Sequence, residues 1–389
     1  MDIKNLAEKY NDYIVERRRY YHSVPELSFE EVNTTKQLAQ DLKEMGIEVK
    51  TFDDYNGLIG TIQGAKPGKT VMLRADIDAL PVEEHTDLPY ASSNGNMHAC
   101  GHDAHISMLL GAAKILVDMK DQLNGTVKLL FQAAEESCHG AKYYVDNGVL
   151  DGIDALFGMH IWGSLDAPYF NLESGVRMAS VDNFKITVKG VSSHGSAPHL
   201  GKDAIIAASS IIMNLQTLVS RVNDPLNPLV ISIGTVKGGQ RFNIIANNVE
   251  MEGTVRTHSR EIRSSVEANL RSVVENTAKL LGCEAKLEYS YYAAPIINEH
   301  EKINNIVRNA AIKLYGNESL IHMPTLMGSE DFAYLMEKAP GFYGFIGTRN
   351  EEKGLIYSNH NDKFTIDEDV LHRGSALYAQ FACDFLDEN

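Results

Sequence analysis

Three short apolar runs separated by helical patterns constrain this chain more than any other feature. Residues 70–73, 126–131 and 155–158 read as strands, the second broken by one lysine, and 106–119 and 141–149 between them read as helices. Strands that alternate with helices imply a mainly parallel sheet covered by helices on both faces, an α/β fold. Residues 2–46 add helices ahead of it. Ser28 precedes Glu30 and Glu31 near the start of the second, and Gly46 follows its end.

Ligands of open parallel sheets gather at the carboxyl ends of the strands. Here the first run leads into Asp76 and Asp78, the second into Glu135 and Glu136, and the third into His160. Before the second run lies Met97-His98-Ala99-Cys100-Gly101-His102-Asp103-Ala104-His105, which packs a thiol, imidazoles and a carboxylate around a glycine. Cys, His and Glu are the donor set of zinc and related divalent metals. Taken singly, each of these residues has an ordinary explanation. A Glu-Glu pair is commonly a solvated helix start, and a free cysteine commonly a small buried apolar residue. Their joint placement where strands end points instead to one cleft.

The middle of the chain has another rhythm. A strand at 183–189, a helix at 202–222, strands at 229–237 and 248–257, a helix at 260–281 closed by Gly282, and a strand at 284–291 follow in turn. This is the β-α-β-β-α-β order of a ferredoxin-like domain. Beyond it come a helix at 301–315, a strand around 343–346 and a closing helix at 367–386. The 389 residues exceed one ordinary core. The expected layout is a metal-binding domain from 1–182 and 293–389, with 183–292 inserted as a separate domain.

Charge and cysteine usage exclude other classes. A net charge of −16 argues against nucleic-acid and anionic-membrane partners, which need a basic face. No apolar run is read as long enough to span a membrane, and the N-terminus lacks the apolar core of a signal peptide. Four scattered cysteines do not make a disulfide framework. The expected location is cytoplasmic, where a thiol is free to bind metal.

These segments resemble the co-catalytic metallopeptidase family of aminoacylases and glutamate carboxypeptidases. Within it they are most like the amidohydrolase branch of hippurate hydrolases, indole-acetyl-amino-acid hydrolases and N-acetyl-diaminopimelate deacetylases. The matching motifs include His22-Ser23-Val24-Pro25-Glu26-Leu27, Arg74-Ala75-Asp76-Ile77-Asp78, Cys100-Gly101-His102-Asp103, Ala134-Glu135-Glu136, Gly158-Met159-His160, Ser193-His194-Gly195, Gly328-Ser329-Glu330-Asp331-Phe332 and His360-Asn361. The resemblance implies that Cys100, His102, Glu136, His160 and His360 hold two divalent ions per subunit. Cys and His ligands favour zinc, with manganese, cobalt and nickel as alternatives. It implies Glu135 as general base and Asp78 as the carboxylate that orients the site. In the inserted domain it implies His194 as a donor to the developing oxyanion, and Asn243 and Arg256 as a clamp on the substrate carboxylate. Four residues depart from the pattern: Cys138 and His139 lie where relatives are glycine-rich, and Ala246 and Asp362 replace prolines. Cys138 and His139 are expected at the rim of the site and not as ligands.

The implied activity is cleavage of the amide bond of N-acyl amino acids by a metal-activated water, in a homodimer joined through the inserted domain. A dipeptidase or carboxypeptidase on the same dinuclear site is the alternative. A catalytically silent metal- or ligand-binding protein is the reading from another class. Loss of Glu135 or of a ligand would mark it, and all are present.

Overall fold

The structure, a computed structural model, describes residues 2–388. The chain divides into two compact units. The first takes in the chain up to Arg177, Ile297–Pro324 and the chain from Asp331 onward; the second is Met178–Ile296 with Thr325–Glu330. Residues 325–330, expected with the catalytic domain, cluster with the second unit. There Ala179 N–H donates to Gly328 O and Met178 bridges Leu326.

The first unit is built on a seven-stranded sheet. Its order is Glu48–Thr51, Gly57–Gln63, Asn124–Gln132, Lys66–Asp76, Ala155–Asp166, Gly341–Arg349 and Phe170–Asn171. The four strands from Asn124–Gln132 to Gly341–Arg349 are parallel to one another, and every pairing that involves one of the outer three is antiparallel. The last six residues of Lys66–Asp76 are all buried, as are the first seven of Ala155–Asp166. Burial on both faces explains why these segments read as unbroken apolar runs. The helices His102–Asp118 and Leu371–Asp387 pack together and against Lys66–Asp76. Their Leu109, Leu110, Leu116, Tyr378 and Phe381 join the core with Leu73, Phe131 and Phe157.

Two local differences from the sequence reading bear on the site. The helix expected at 106–119 begins at His102, so His102, Asp103 and His105 occupy its first turn and not a loop. Gly101 caps it with φ 96°, and a β-carbon there would meet Ile161 Cδ1 at 2.4 Å. Only glycine tolerates both the left-handed backbone and the close approach. The strand expected to end at 158 continues through His160 to Asp166. Its pairing with Lys66–Asp76 stops at Arg74↔Gly158, whereas pairing with Gly341–Arg349 reaches Asp166. His160 is therefore inside a strand, two residues past the point where one neighbour leaves.

The second unit has four antiparallel strands in the order Glu284–Tyr291, Asp182–Lys189, Asn248–Thr257, Leu229–Gly238. This is the ferredoxin-like arrangement. Alternate residues of Asp182–Lys189 are buried, as expected of a sheet covered on one face. The helices Ala204–Thr217 and Arg260–Leu280 supply Ile211, Leu215, Leu270 and Val274 to its core. Asp203 and Ser259 cap them through their side chains. Continued by a π turn, the helix Ala204–Val222 is long and apolar enough to cross a membrane, although no such run was read from the sequence. The reason is that no charge falls between Asp203 and Arg221. Only 28% of that stretch is buried within the unit.

Candidate metal centre

The first unit brings Cys100, His102, Glu135, Glu136, His160 and His360 into one cluster. Cys100 Sγ lies 3.4 Å from His160 Nε2 and 3.3 Å from His360 Nε2. Glu136 Oε1 lies 3.7 Å from His360 Nε2 and 3.9 Å from His102 Nε2. Two groups of donor atoms thus share the thiol: Cys100 with His102 and His160, and Cys100 with Glu136 and His360. The backbone delivers these groups by specific devices. Cys100 and His102 flank the Gly101 cap. Glu135 and Glu136 sit in a 3-10 turn entered through Ala134, whose φ of 60° is held by a bond from its N–H to Glu31 Oε1 at 2.8 Å. His360, also left-handed, donates its N–H to Ala99 O at 2.7 Å.

Asp78 ties the pieces together. Its Oδ1 is 3.2 Å from His102 Nδ1, and its Oδ2 accepts from Glu136 N–H at 3.0 Å and Ser28 Oγ–H at 2.7 Å. With Nδ1 of His102 turned to Asp78, Nε2 faces the cluster. It is buried and has no hydrogen-bond partner, and neither has Glu136 Oε1. Leaving such atoms unsatisfied is costly unless a cation takes them up.

The electrostatics agree with that requirement. Burial would lower the His102 imidazole, but Asp76, Asp78 and Glu136 push it up to about 10. Burial raises Glu136 to about 7. Burial and the carboxylates of Glu136, Glu135 and Asp76 raise the Cys100 thiol well above its ordinary value. Burial, with His105 beside it, holds His160 well below the ordinary histidine range. A thiol, imidazoles and carboxylates that shift one another so strongly become compatible when divalent cations neutralise the donors. The residues therefore fit a metal centre, and a neighbouring carboxylate, Glu135, completes it.

Other residues surround the cluster. His105 pairs with Asp76, and Asp103 accepts from His22 Nδ1 at 2.8 Å and forms an ion pair with Arg18, whose Nε lies 2.8 Å from its Oδ2. His22, read from sequence as structural or surface, is a buried part of this network. His98 is buried with neither ring nitrogen hydrogen-bonded. Cys138 is half-buried and left-handed, and exposed His139 contacts the Tyr334 hydroxyl at 3.2 Å. Neither belongs to a metal-holding group among the described residues.

His194, Asn243 and Arg256 belong to the second unit. His194 bridges Ile244, and Gly195 N–H donates to Asn243 O at 2.8 Å, so the first two share a loop pair. His194 Nδ1 accepts from Ser196 N–H at 3.1 Å, which puts the ring proton on Nε2 as an outward donor. Arg256 Nη1 donates to Ser329 Oγ at 3.1 Å. Asp331, Arg74 and Gln132 were given no role from sequence, although the motifs around Arg74 and Asp331 were themselves visible. All three are buried beside Glu135 and Asp76.

A thiol, imidazoles and carboxylates gathered in one cluster, with a further glutamate beside them, are the donor set of a metal-dependent hydrolase. Residues 72–384 match the model of peptidase family M20/M25/M40, and the chain belongs to that family. It is 42% identical to thermostable carboxypeptidase 1 of Saccharolobus solfataricus, over 98% of each chain. It is 40% identical to an N-acetyl-L-cysteine deacetylase of Bacillus subtilis, over 96% of this chain and 88% of that one. A solved Bacillus subtilis protein described as a dinuclear metal binding peptidase of family M20 superposes with a TM-score of 0.87. That match has 36% identity and covers 98% of this chain and 100% of the other. The chain is accordingly a metal-dependent hydrolase of amide bonds.

Proposed function

We propose that the chain cleaves N-acyl amino acids at a dinuclear site held by Cys100, His102, Glu136, His160 and His360, with Glu135 as general base. The observation that carries this reading is the pair of donor groups that share the Cys100 thiol. Divalent ions bound there would activate a water and polarise the amide carbonyl. Glu135, buried next to Glu136, takes the proton of the attacking water and passes it to the leaving nitrogen. Asp78 keeps His102 in the tautomer that presents Nε2. His194 Nε2–H stabilises the developing oxyanion. Arg256 and Asn243 hold the substrate carboxylate, a task that suits the planar guanidinium fork. Zinc is favoured by the Cys and His donors. The site works in the cytoplasm, where the thiol stays reduced.

A homodimer through the second unit belongs to the same reading. The strand Leu229–Gly238 is the last in its sheet, so one of its edges has no strand paired to it among the described residues. Val236 of that strand is exposed, as are Ile206, Met213 and Val222 of the helix and π turn in the same unit. An apolar face next to an open strand edge is an association surface.

A specific observation keeps a second substrate reading in play. Two relatives at 42% and 40% identity are named carboxypeptidases, and removing an acyl group or a C-terminal residue breaks the same kind of bond. Assaying metal-loaded protein on N-acetyl amino acids and on simple dipeptides separates them. Faster release of acetate is expected; cleavage of dipeptides alone would transfer the assignment to a peptidase.

A further inference from the structure

Glu135 lies at one end of a buried polar chain that the roles above leave unused. The chain starts one residue after His160. Ile161 N–H donates to His105 Nε2 at 2.9 Å, which leaves the ring proton on Nδ1, where it donates to Asp76 Oδ1. Asp76 Oδ2 accepts from Arg74 Nη1 at 2.7 Å. Arg74 also donates from Nε to Gln132 Oε1 at 2.9 Å and from Nη2 to Asp331 Oδ1 at 3.1 Å. Gln132 Nε2 donates to the same Asp331 oxygen at 2.7 Å. Asp331 Oδ2 accepts from Ala141 N–H at 2.7 Å, and Asp331 N–H donates to Glu135 Oε1 at 3.4 Å.

Asp331 therefore grips the turn that carries Glu135 from both sides. Gln132 ends the strand before the turn, Ala141 lies in the helix Gly140–Asp146 after it, and Glu135 is between them. Arg74 already has Asp76 as an ion-pair partner, so neutralising the guanidinium does not account for a second buried carboxylate. A buried charge of this kind is costly, and its hydrogen bonds fix geometry. We infer that Asp331 is a positioning residue for the hydrolysis. It restrains the turn and Oε1 of Glu135, so that Oε2, 3.9 Å from His102 Nε2, faces the donor cluster.

This inference rests on Glu135 being the base, and the test separates the two. Asp331→Asn, Glu135→Gln and the double variant are compared for kcat and KM on one N-acetyl amino acid, for bound metal and for far-UV circular dichroism. Asp331→Asn is expected to lower kcat about 10–100-fold, the usual cost of a misplaced catalytic group, with KM within about twofold and metal content unchanged. In the Glu135→Gln background the same change should cost less than about threefold, because the residue it positions is no longer a base. Equal losses in both backgrounds, or loss of metal, would overturn the inference. Near-normal turnover by Glu135→Gln would overturn the base assignment instead. Should Asp331→Asn not fold, Ala141→Pro carries the test, since it removes one N–H donor at a helix start that tolerates proline. It should lower kcat several-fold with KM unchanged; an unchanged kcat would count against the role of Asp331.

Discussion

The two units place their unusual residues in opposite ways. The first hides them: Arg18, Arg74, Asp76, Asp78, Asp103 and Asp331 are all buried. The second leaves apolar groups in the open, with Met213, Leu226 and Phe242 exposed. A parallel sheet covered on both faces can enclose charge at its strand ends, where fixed partners replace water. An antiparallel sheet covered on one face has less interior for that: it buries Asp182 against Arg263 at one strand end and leaves more of its apolar groups at the surface. The contrast fits the proposed division, with chemistry in the first unit and assembly and substrate grip in the second, and experiments can break it.

The largest expected effect is removal of metal. Chelation should abolish activity, and added divalent ion should restore it; full turnover by metal-free protein would end the metal reading. Cys100→Ala should lower both bound metal and rate, because the thiol is common to both donor groups. Glu135→Gln should leave metal and KM nearly unchanged while kcat falls about 10²–10⁴-fold, the worth of a positioned general base. In the second unit, Arg256→Ala should mainly raise KM, by about 10–100-fold, as expected for a lost charge-assisted hydrogen bond. If kcat fell alone, Arg256 would not be a binding residue.

Smaller effects sharpen the division. Ile206→Glu together with Met213→Glu should halve the mass seen by light scattering while leaving bound metal in place. A native protein that is already monomeric at micromolar concentration would remove the dimer. The last test concerns buried charge at the periphery of the first unit. Burial opposes ionisation of Glu84, but His22, Thr86 and Ser92 N–H hold its carboxyl down at about 2. Its stabilisation is therefore complete above the unfolded value of about 4.3 and is lost as pH falls toward the folded one. Burial and Arg18 oppose protonation of His22, yet Asp103 and Glu84 raise it, so its share is complete below about 6.5 and fades as pH rises. The Tm difference between native protein and Glu84→Gln should peak between about pH 4.5 and 6.5. A flat difference across pH would dismiss the pair.

How much of this was legible in the sequence depended on distance along the chain. Cys100 and His102, and Glu135 with Glu136, could be read because neighbours in sequence reach one site together. The β-α-β-β-α-β order was legible because each element carries its own periodicity. Asp331 and Arg74 are 257 positions apart, and neither segment contains a cue for the other. The start of the helix at His102 was missed because Gly101 caps it by backbone shape, without the Ser, Thr or Asp that advertises a helix start. The strands Glu48–Thr51 and Gly57–Gln63 lie beyond the helix end read at Gly46 but were not read as strands; the first has only four residues, three of them exposed.

The proposed donors come from four stretches of chain, the last of them at His360, shortly before the closing helix Leu371–Asp387 that fills the core. During synthesis from the N-terminus, the fragment that carries Cys100, His102, Glu136 and His160 emerges first and lacks one donor. A truncated or prematurely released chain would thus possess four donors without the fifth or the helix that seals them. On the proposed ligand set, a full metal complement would report that the chain has been made and folded at least through His360, so metal content would follow folding as well as activity.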